Sequence, residues 1–95
     1  MFLNRLKRVL SLEMITKGID GMVPIDAAKI AKRALELNAD SVILFHNHPS
    51  GDPTPSNADL NSTEALRDAL VHLGKKLLDH IIVSDDRYFS FSEGK

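Results

Sequence analysis

Hydrophobic and polar positions recur with two different periods along this chain, and the changes of period predict its elements. From Val9 to Thr16 apolar side chains occupy every second position, which is typical of a strand with one buried face. Between Asp26 and Leu37, and again between Asn57 and Leu73, apolar side chains recur every three or four residues, which is typical of amphipathic helices. The pattern therefore predicts helices and strands that alternate along one chain.

Short apolar segments supply the remaining strands. Residues 1–3 predict the end of a first strand, 41–45 a central strand buried on both faces, and 77–83 and 88–91 two strands joined by a turn. The glycine-containing segment 17–24 predicts a loop. The resulting order, β-β-α-β-α-β-β, predicts a single α/β domain with a mixed sheet, in a three-layer or sheet-plus-helices arrangement.

Residues that favour helix ends delimit both predicted helices. Asp26 and Ser56 are typical N-caps, and Asn38 and Gly74 are typical of the position after a helix end. The stripes predicted to face the core are Ala27, Ile30, Ala31, Ala34 and Leu35 on the first helix, and Leu60, Leu66, Leu70 and Leu73 on the second.

Composition limits the classes of function. The 95 residues, 43% of them hydrophobic, are enough for one small core, and the net charge of −1 gives no overall attraction to nucleic acid. A basic cluster at Arg5, Lys7 and Arg8 can touch phosphate, but such a cluster on a turn is more often simply solvated, so any nucleic-acid binding should be weak. No apolar run approaches the roughly 20 residues of a membrane span. Without cysteine, disulfides are excluded, and we expect a soluble, cytoplasmic protein.

The candidate chemistry lies in residues 46–59, directly after the central strand. His46 and His48 are two positions apart in an extended segment, so their rings should lie on the same side, and Asp59 follows on the first turn of the second helix. Two imidazoles and one carboxylate suit Zn²⁺ and leave a fourth tetrahedral position for water, as in catalytic sites. The alternative is a histidine-containing loop that binds nothing, with Ser56 and Asp59 serving only the helix end.

The spacing H-x-H-P, six residues, then S-x-x-D resembles the JAMM metal motif of JAB/MPN-domain metallopeptidases. The longer string HNHPSGDPTPS, with LDHIIV at 78–83 and Ser90-Phe91, is similar to the RadC-like branch, the bacterial "DNA repair protein RadC" family. This resemblance covers residues 2–94 and implies a sheet of the cytidine-deaminase type. It also implies hydrolysis of a peptide or isopeptide bond in a peptide or protein substrate. Zn²⁺ would be held by His46, His48 and Asp59, a glutamate would transfer the proton, and Ser56 would be catalytic as the donor to the oxyanion.

The sequence departs from the RadC-like pattern in two places. It has Pro24-Ile25-Asp26 where the family usually carries Pro-Arg-Glu. The family's catalytic glutamate lies on a first strand that should end near residue 3, so we expect that strand to be incomplete here and the glutamate to lie upstream. Glu13 is the only nearby substitute, but it is more typical of a solvent-facing strand residue. We therefore expect metal binding with slow hydrolysis, and dimerisation through the exposed edge of strand 9–16.

Two functions from other classes remain as alternatives. The first is a DNA-repair-associated nucleic-acid-binding module. Such a module typically carries a basic stripe with interleaved aromatic residues, and this near-neutral chain with four Phe and one Tyr does not display one. The second is a non-catalytic MPN interaction domain, although such domains usually lose the metal ligands and this chain keeps all three. Asp79 and His80 are an additional candidate pair that could orient a ligand from behind.

Overall fold

The computed structural model describes residues 1–13, 25–48 and 51–95. Its elements are β1 (Phe2–Leu3), β2 (Val9–Ser11), α1 (Ala27–Glu36), β3 (Ser41–Asn47), α2 (Asn57–His72), β4 (Lys76–Ser84) and β5 (Arg87–Ser90). This is the predicted order. The loop predicted at 17–24 and the end of the strand predicted at 9–16 lie outside the described residues.

All five strands join in one mixed sheet, in the order β2-β1-β3-β4-β5. β1 is antiparallel to both of its neighbours, β3 and β4 are parallel, and β5 returns antiparallel to β4. A parallel pair needs a crossover connection, and α2 provides it between β3 and β4. The α/β class with a mixed sheet and flanking helices is therefore confirmed.

Strand lengths follow the length of the partner strand. β2 ends at Ser11, before Leu12 and Glu13, because β1 offers it only two residues to pair with. β3 instead runs two residues beyond the predicted end at Phe45, because β4 continues beside it and pairs Val83 with Asn47. His46 is consequently part of the strand and is held in its ladder.

Both helices begin and end at the predicted caps. The Asp26 carboxylate accepts a hydrogen bond from the Lys29 N–H, and Ser56 caps α2 in the same way. Asn38 and Gly74 follow the two helices with φ of 54° and 71°, the left-handed conformation that closes a helix end. Neither helix in the described part of the chain has the length and apolar character that a membrane span requires.

The core lies between the helices and one face of the sheet. It contains Phe2, Ile30, Ala31, Ala34, Ala39, Val42, Leu66 and Leu70. Side chains alternate along β3, so His46 lies on the same face as Val42 and points to the helix side. The core thus fixes the side of the sheet on which the candidate ligands lie.

Several residues predicted to be buried are exposed. Leu35 lies at the solvent side of α1, and Leu73 is exposed just after the end of α2. Leu60 is 47% exposed because Asp59 and Thr63 occupy the inward positions of the first turns of α2. Phe45 is also 47% exposed, so the prediction that β3 is buried on both faces was wrong for its second half. Phe45 points away from the face that the helices cover, because it alternates with His46.

Candidate metal centre

Three candidate ligands meet where β3 ends and α2 begins. His46 lies near the end of β3 and His48 just after it, with ring centroids 4.7 Å apart. Asp59 lies in the first turn of α2, and its side chain is buried. One donor atom from each of these three residues lies within 4.8 Å of the other two, so the group can hold a metal ion.

The distances within this group suit a small ion. His46 Nδ1 lies 3.3 Å from Asp59 Oδ1, and His48 Nε2 lies 3.0 Å from Asp59 Oδ2. Ligand atoms about 2.0–2.1 Å from a tetrahedral Zn²⁺ are about 3.3–3.4 Å from each other. Each nitrogen thus lies near this separation from one Asp59 oxygen, and nitrogen and carboxylate donors are ligands that Zn²⁺ accepts.

One hydrogen bond orients the His48 ring. Its Nδ1 lies 3.2 Å from the carbonyl oxygen of Asp52, which can only accept, so Nδ1 carries the proton. The other ring nitrogen, Nε2, then faces the Asp59 carboxylate at 3.0 Å. Two electron-rich atoms at this distance require a cation between them, either a second proton or a metal ion.

The end of β4 holds the backbone of His48 after β3 has ended. The His48 N–H donates to the Val83 carbonyl at 2.9 Å, and the Ser84 hydroxyl donates to the His48 carbonyl. Further along, Asp52 and Thr54 are joined, because Asp52 Oδ1 accepts from both the N–H and the hydroxyl of Thr54. These hydrogen bonds lower the pKa of Asp52.

Asp59 takes part in the cap of α2 and also faces both histidines. Its N–H donates to Ser56 Oγ at 3.0 Å, and its Oδ2 accepts from the Ser56 N–H at 2.8 Å, which makes a reciprocal capping box. Burial alone would raise the pKa of Asp59, but the hydrogen bonds with Ser56 and the neighbouring His46 and His48 lower it overall. The carboxylate is therefore ionised at neutral pH, as a metal ligand must be.

Ser56 is exposed beside this carboxylate. Its oxygen accepts from the Asp59 N–H, which leaves the hydroxyl hydrogen available. Within residues 1–13, 25–48 and 51–95, no acceptor holds that hydrogen. The side chain can therefore donate a hydrogen bond to a molecule bound at the ligand group.

Thr63 and His80 lie behind the ligands, and sequence reasoning missed Thr63. The Thr63 hydroxyl oxygen lies 2.6 Å from the Asp59 carbonyl oxygen and 2.6 Å from His80 Nδ1. The His80 ring is fully buried and stacks between His46 and Phe91. Burial, and then the neighbouring His46, lowers the pKa of His80 to about 4, so the ring is neutral at neutral pH. Thr63 lies four residues after Asp59, the spacing that shares a helix face, and this was the available signal.

The structure separates the pair that Asp79 and His80 form in the sequence. Adjacent residues on a strand face opposite sides, and only His80 points to the ligand group. The Asp79 carboxylate accepts from the Ser90 and Ser92 hydroxyls and from the Ser92 N–H, which holds the end of β5. The Asp79 side chain therefore binds Ser90 and Ser92 rather than orienting a candidate ligand.

The carboxylate of Glu13 is engaged by Arg33 and Ser11. Arg33 on α1 contacts both of its oxygens at 2.8–3.1 Å, and the Ser11 hydroxyl donates to one of them. The hydrogen bonds from Arg33 and then Ser11 lower the pKa of Glu13 to about 2. Glu13 links the end of β2 to α1, rather than facing solvent from within a strand.

Fold and site together define a class: a mixed α/β domain with a His-x-His and aspartate group that can bind metal at the end of a central strand. A profile of the RadC-like JAB domain family matches residues 1–95. The chain belongs to this family, which confirms the resemblance seen in its motif.

Curated relatives agree with this assignment. The chain is 44% identical over 93 residues to a UPF0758 protein of Aquifex aeolicus (strain VF5), covering 98% of this chain and 40% of that protein. It is 44% identical over 91 residues to a UPF0758 protein of Rhodobacter capsulatus, covering 96% and 42%. A UPF0758 protein of Chlorobaculum parvum (strain DSM 263 / NCIMB 8327) is 45% identical over 93 residues, covering 98% and 42%. The chain thus spans about two fifths of these relatives, whose names state neither a reaction nor a role in DNA repair.

Proposed function

We propose that this domain is a zinc-dependent hydrolase that cleaves an amide bond, either peptide or isopeptide, with water. The observation that carries the proposal is the buried Asp59 carboxylate, with Nε2 of His48 at 3.0 Å from one oxygen and Nδ1 of His46 at 3.3 Å from the other. Three protein ligands leave one tetrahedral position, which is typical of catalytic rather than structural zinc sites. When bound there, zinc would acidify a water molecule and polarise a carbonyl group.

Each ligand has a distinct part in holding the ion. His46 is fixed by the β3 ladder, and His48 by the carbonyl of Asp52 and the end of β4. Asp59 brings the negative charge, held in place by the Ser56 N–H. Because the three come from two elements and a loop, the site depends on the folded domain rather than on a local peptide.

Ser56 would act on the substrate. Its hydroxyl is exposed beside the ligand group, and its capping bond fixes the oxygen while leaving the hydrogen free to donate. In hydrolysis it would donate to the carbonyl oxygen as negative charge develops there. The resemblance to RadC-like domains also implies a glutamate that transfers the proton, and Glu13 does not fit this role because Arg33 holds its carboxylate.

Two measurements test this proposal. Zinc-loaded protein should hydrolyse a fluorogenic peptide or an isopeptide-linked substrate, and His48→Ala should abolish turnover together with bound zinc. His72→Ala is the matched control, because His72 is an exposed histidine on α2 that lies outside the ligand group and hydrogen-bonds to the Asp68 carbonyl. Turnover should also rise by about a hundredfold in a form extended upstream by a strand that carries the glutamate. Equal loss of turnover in both histidine variants would contradict the proposal.

A further inference from the structure

We propose that Thr63 and His80 are positioning residues that set the relative placement of two metal ligands, His46 on β3 and Asp59 on α2. The inference rests on the metal site proposed above. Neither residue belongs to the ligand group itself, because that group consists of His46, His48 and Asp59. Both are buried, and together they connect the two elements that carry these ligands.

The contact with Asp59 runs through a defined chain of hydrogen bonds. A carbonyl oxygen can only accept, so the Thr63 hydroxyl donates to the Asp59 carbonyl. Its single hydrogen is then used, so at the other contact Thr63 accepts from His80 Nδ1–H. The first turn of α2 is thereby bonded to a side chain of β4, and the His80 ring must carry a proton on Nδ1.

The contact with His46 is one of ring packing. The His80 ring lies 5.6 Å from that of His46 with 20° between their planes, and 4.6 Å from Phe91 with 4° between planes. Phe91 thus closes the side of His80 opposite to His46. A shift of His80 would move the support of His46 and pull on the hydrogen bond to Thr63 at the same time.

Stability alone does not account for a polar pair at this position. A buried hydroxyl and a neutral imidazole contribute little compared with apolar side chains of the same volume, because their hydrogen bonds replace bonds to water. His80 Nε2 is buried and has no hydrogen-bond partner among the described residues, which adds a further cost. The pair instead fixes the orientation of the groups it contacts, because hydrogen bonds are directional and apolar contacts are not.

The test compares zinc affinity across matched variants. Thr63→Val keeps the shape of the side chain but removes the hydroxyl, and zinc binding should weaken about 10–100-fold, as for other groups that hold metal ligands. Thr63→Ser restores the hydroxyl and should restore the affinity. Leu70→Val, further along α2 in the core, should lower the denaturation midpoint of the metal-free protein without changing zinc affinity. Competition with a chromophoric chelator measures affinity, and the visible spectrum of the Co²⁺ form reports ligand geometry.

The outcomes separate this inference from the proposed function. If wild type binds zinc and Thr63→Val binds it equally well with an unchanged Co²⁺ spectrum, the inference fails and the metal site stands. If Leu70→Val weakens zinc binding as much as Thr63→Val does, the effect is general destabilisation and the inference also fails. If wild type binds no metal, both fail. A folding-independent check is ¹⁵N NMR of wild type, in which His80 must carry its proton on Nδ1; the opposite tautomer would overturn the inference.

Discussion

Replacing Ser56 by alanine separates the two roles that the structure gives this residue. The change removes the oxygen that accepts from the Asp59 N–H, which should reduce the free energy of unfolding by about 1 kcal/mol, the usual cost of a lost N-cap. It leaves the Ser56 N–H, which still donates to Asp59 Oδ2, so zinc affinity should stay unchanged. It also removes the proposed donor to the oxyanion, so turnover should fall by about 10²–10³-fold.

The chain offers a matched control for this experiment. Asp26 caps α1 through a hydrogen bond of 3.1 Å from the Lys29 N–H, so Asp26→Ala should lose a similar stability of about 1 kcal/mol. Its turnover should stay at the wild-type level, because α1 contributes no ligand to the site. Urea denaturation gives the stability, and zinc-loaded turnover at saturating substrate gives the activity. Ser56→Ala with full turnover, or equal loss of turnover in both variants, would refute the assignment of Ser56.

Four further predictions follow from other parts of the molecule. The ion pair of Glu13 with Arg33 should stabilise the fold fully above pH 4.5 and lose its effect as the pH falls toward about 2, because the folded state lowers the pKa of Glu13. Urea denaturation of wild type and Glu13→Gln across this range should show that the difference between their free energies of unfolding shrinks as the pH falls. Gly51→Ala should weaken zinc binding, because φ at residue 51 is +86° and the new Cβ would lie 3.2 Å from an Asp85 oxygen. Gly74→Ala is the control: φ is +71° but the Cβ meets no neighbour, so this change should lower stability without changing zinc affinity, as measured by competition with a chelator. Light scattering should show concentration-dependent dimers through the edge strand β2, reduced when the exposed Leu10 becomes lysine. Duplex oligonucleotides should bind weakly, with a steep dependence on salt and none on sequence; tight, sequence-dependent binding at physiological salt would contradict this.

The ligand group could be predicted from the sequence because local geometry determines it. His46 and His48 are two residues apart on extended backbone, so no detail of the core can place their rings on opposite sides. Ser56 is a typical N-cap residue, and Asp59, three residues later, lies in the first turn of the helix that Ser56 caps. The sequence therefore places two candidate ligands at a strand end and the third at the start of the next helix.

The surroundings of the site could not be predicted in the same way, because they depend on packing. Hydrophobic periodicity favoured Leu60 as a buried residue, but the inward positions at the start of α2 belong to Asp59 and Thr63, whose polar groups find partners there. Phe45 belongs to an apolar run, which predicts burial on both faces of β3. At Phe45, however, helices cover only one face of the strand, and an apolar run cannot reveal this. The sequence suggested Asp79 as the partner of His80, but alternation along the strand places Asp79 on the other face, and His80 contacts Thr63 instead.

Zinc content is the most direct test of the central claim that His46, His48 and Asp59 form a metal site. Elemental analysis of purified protein should give about one zinc per chain, and the double variant His46→Ala, His48→Ala should give essentially none. His72→Ala should retain the wild-type content, since this exposed histidine lies outside the group. Zinc that persists unchanged in the double variant, or wild-type protein that takes up none, would contradict the account.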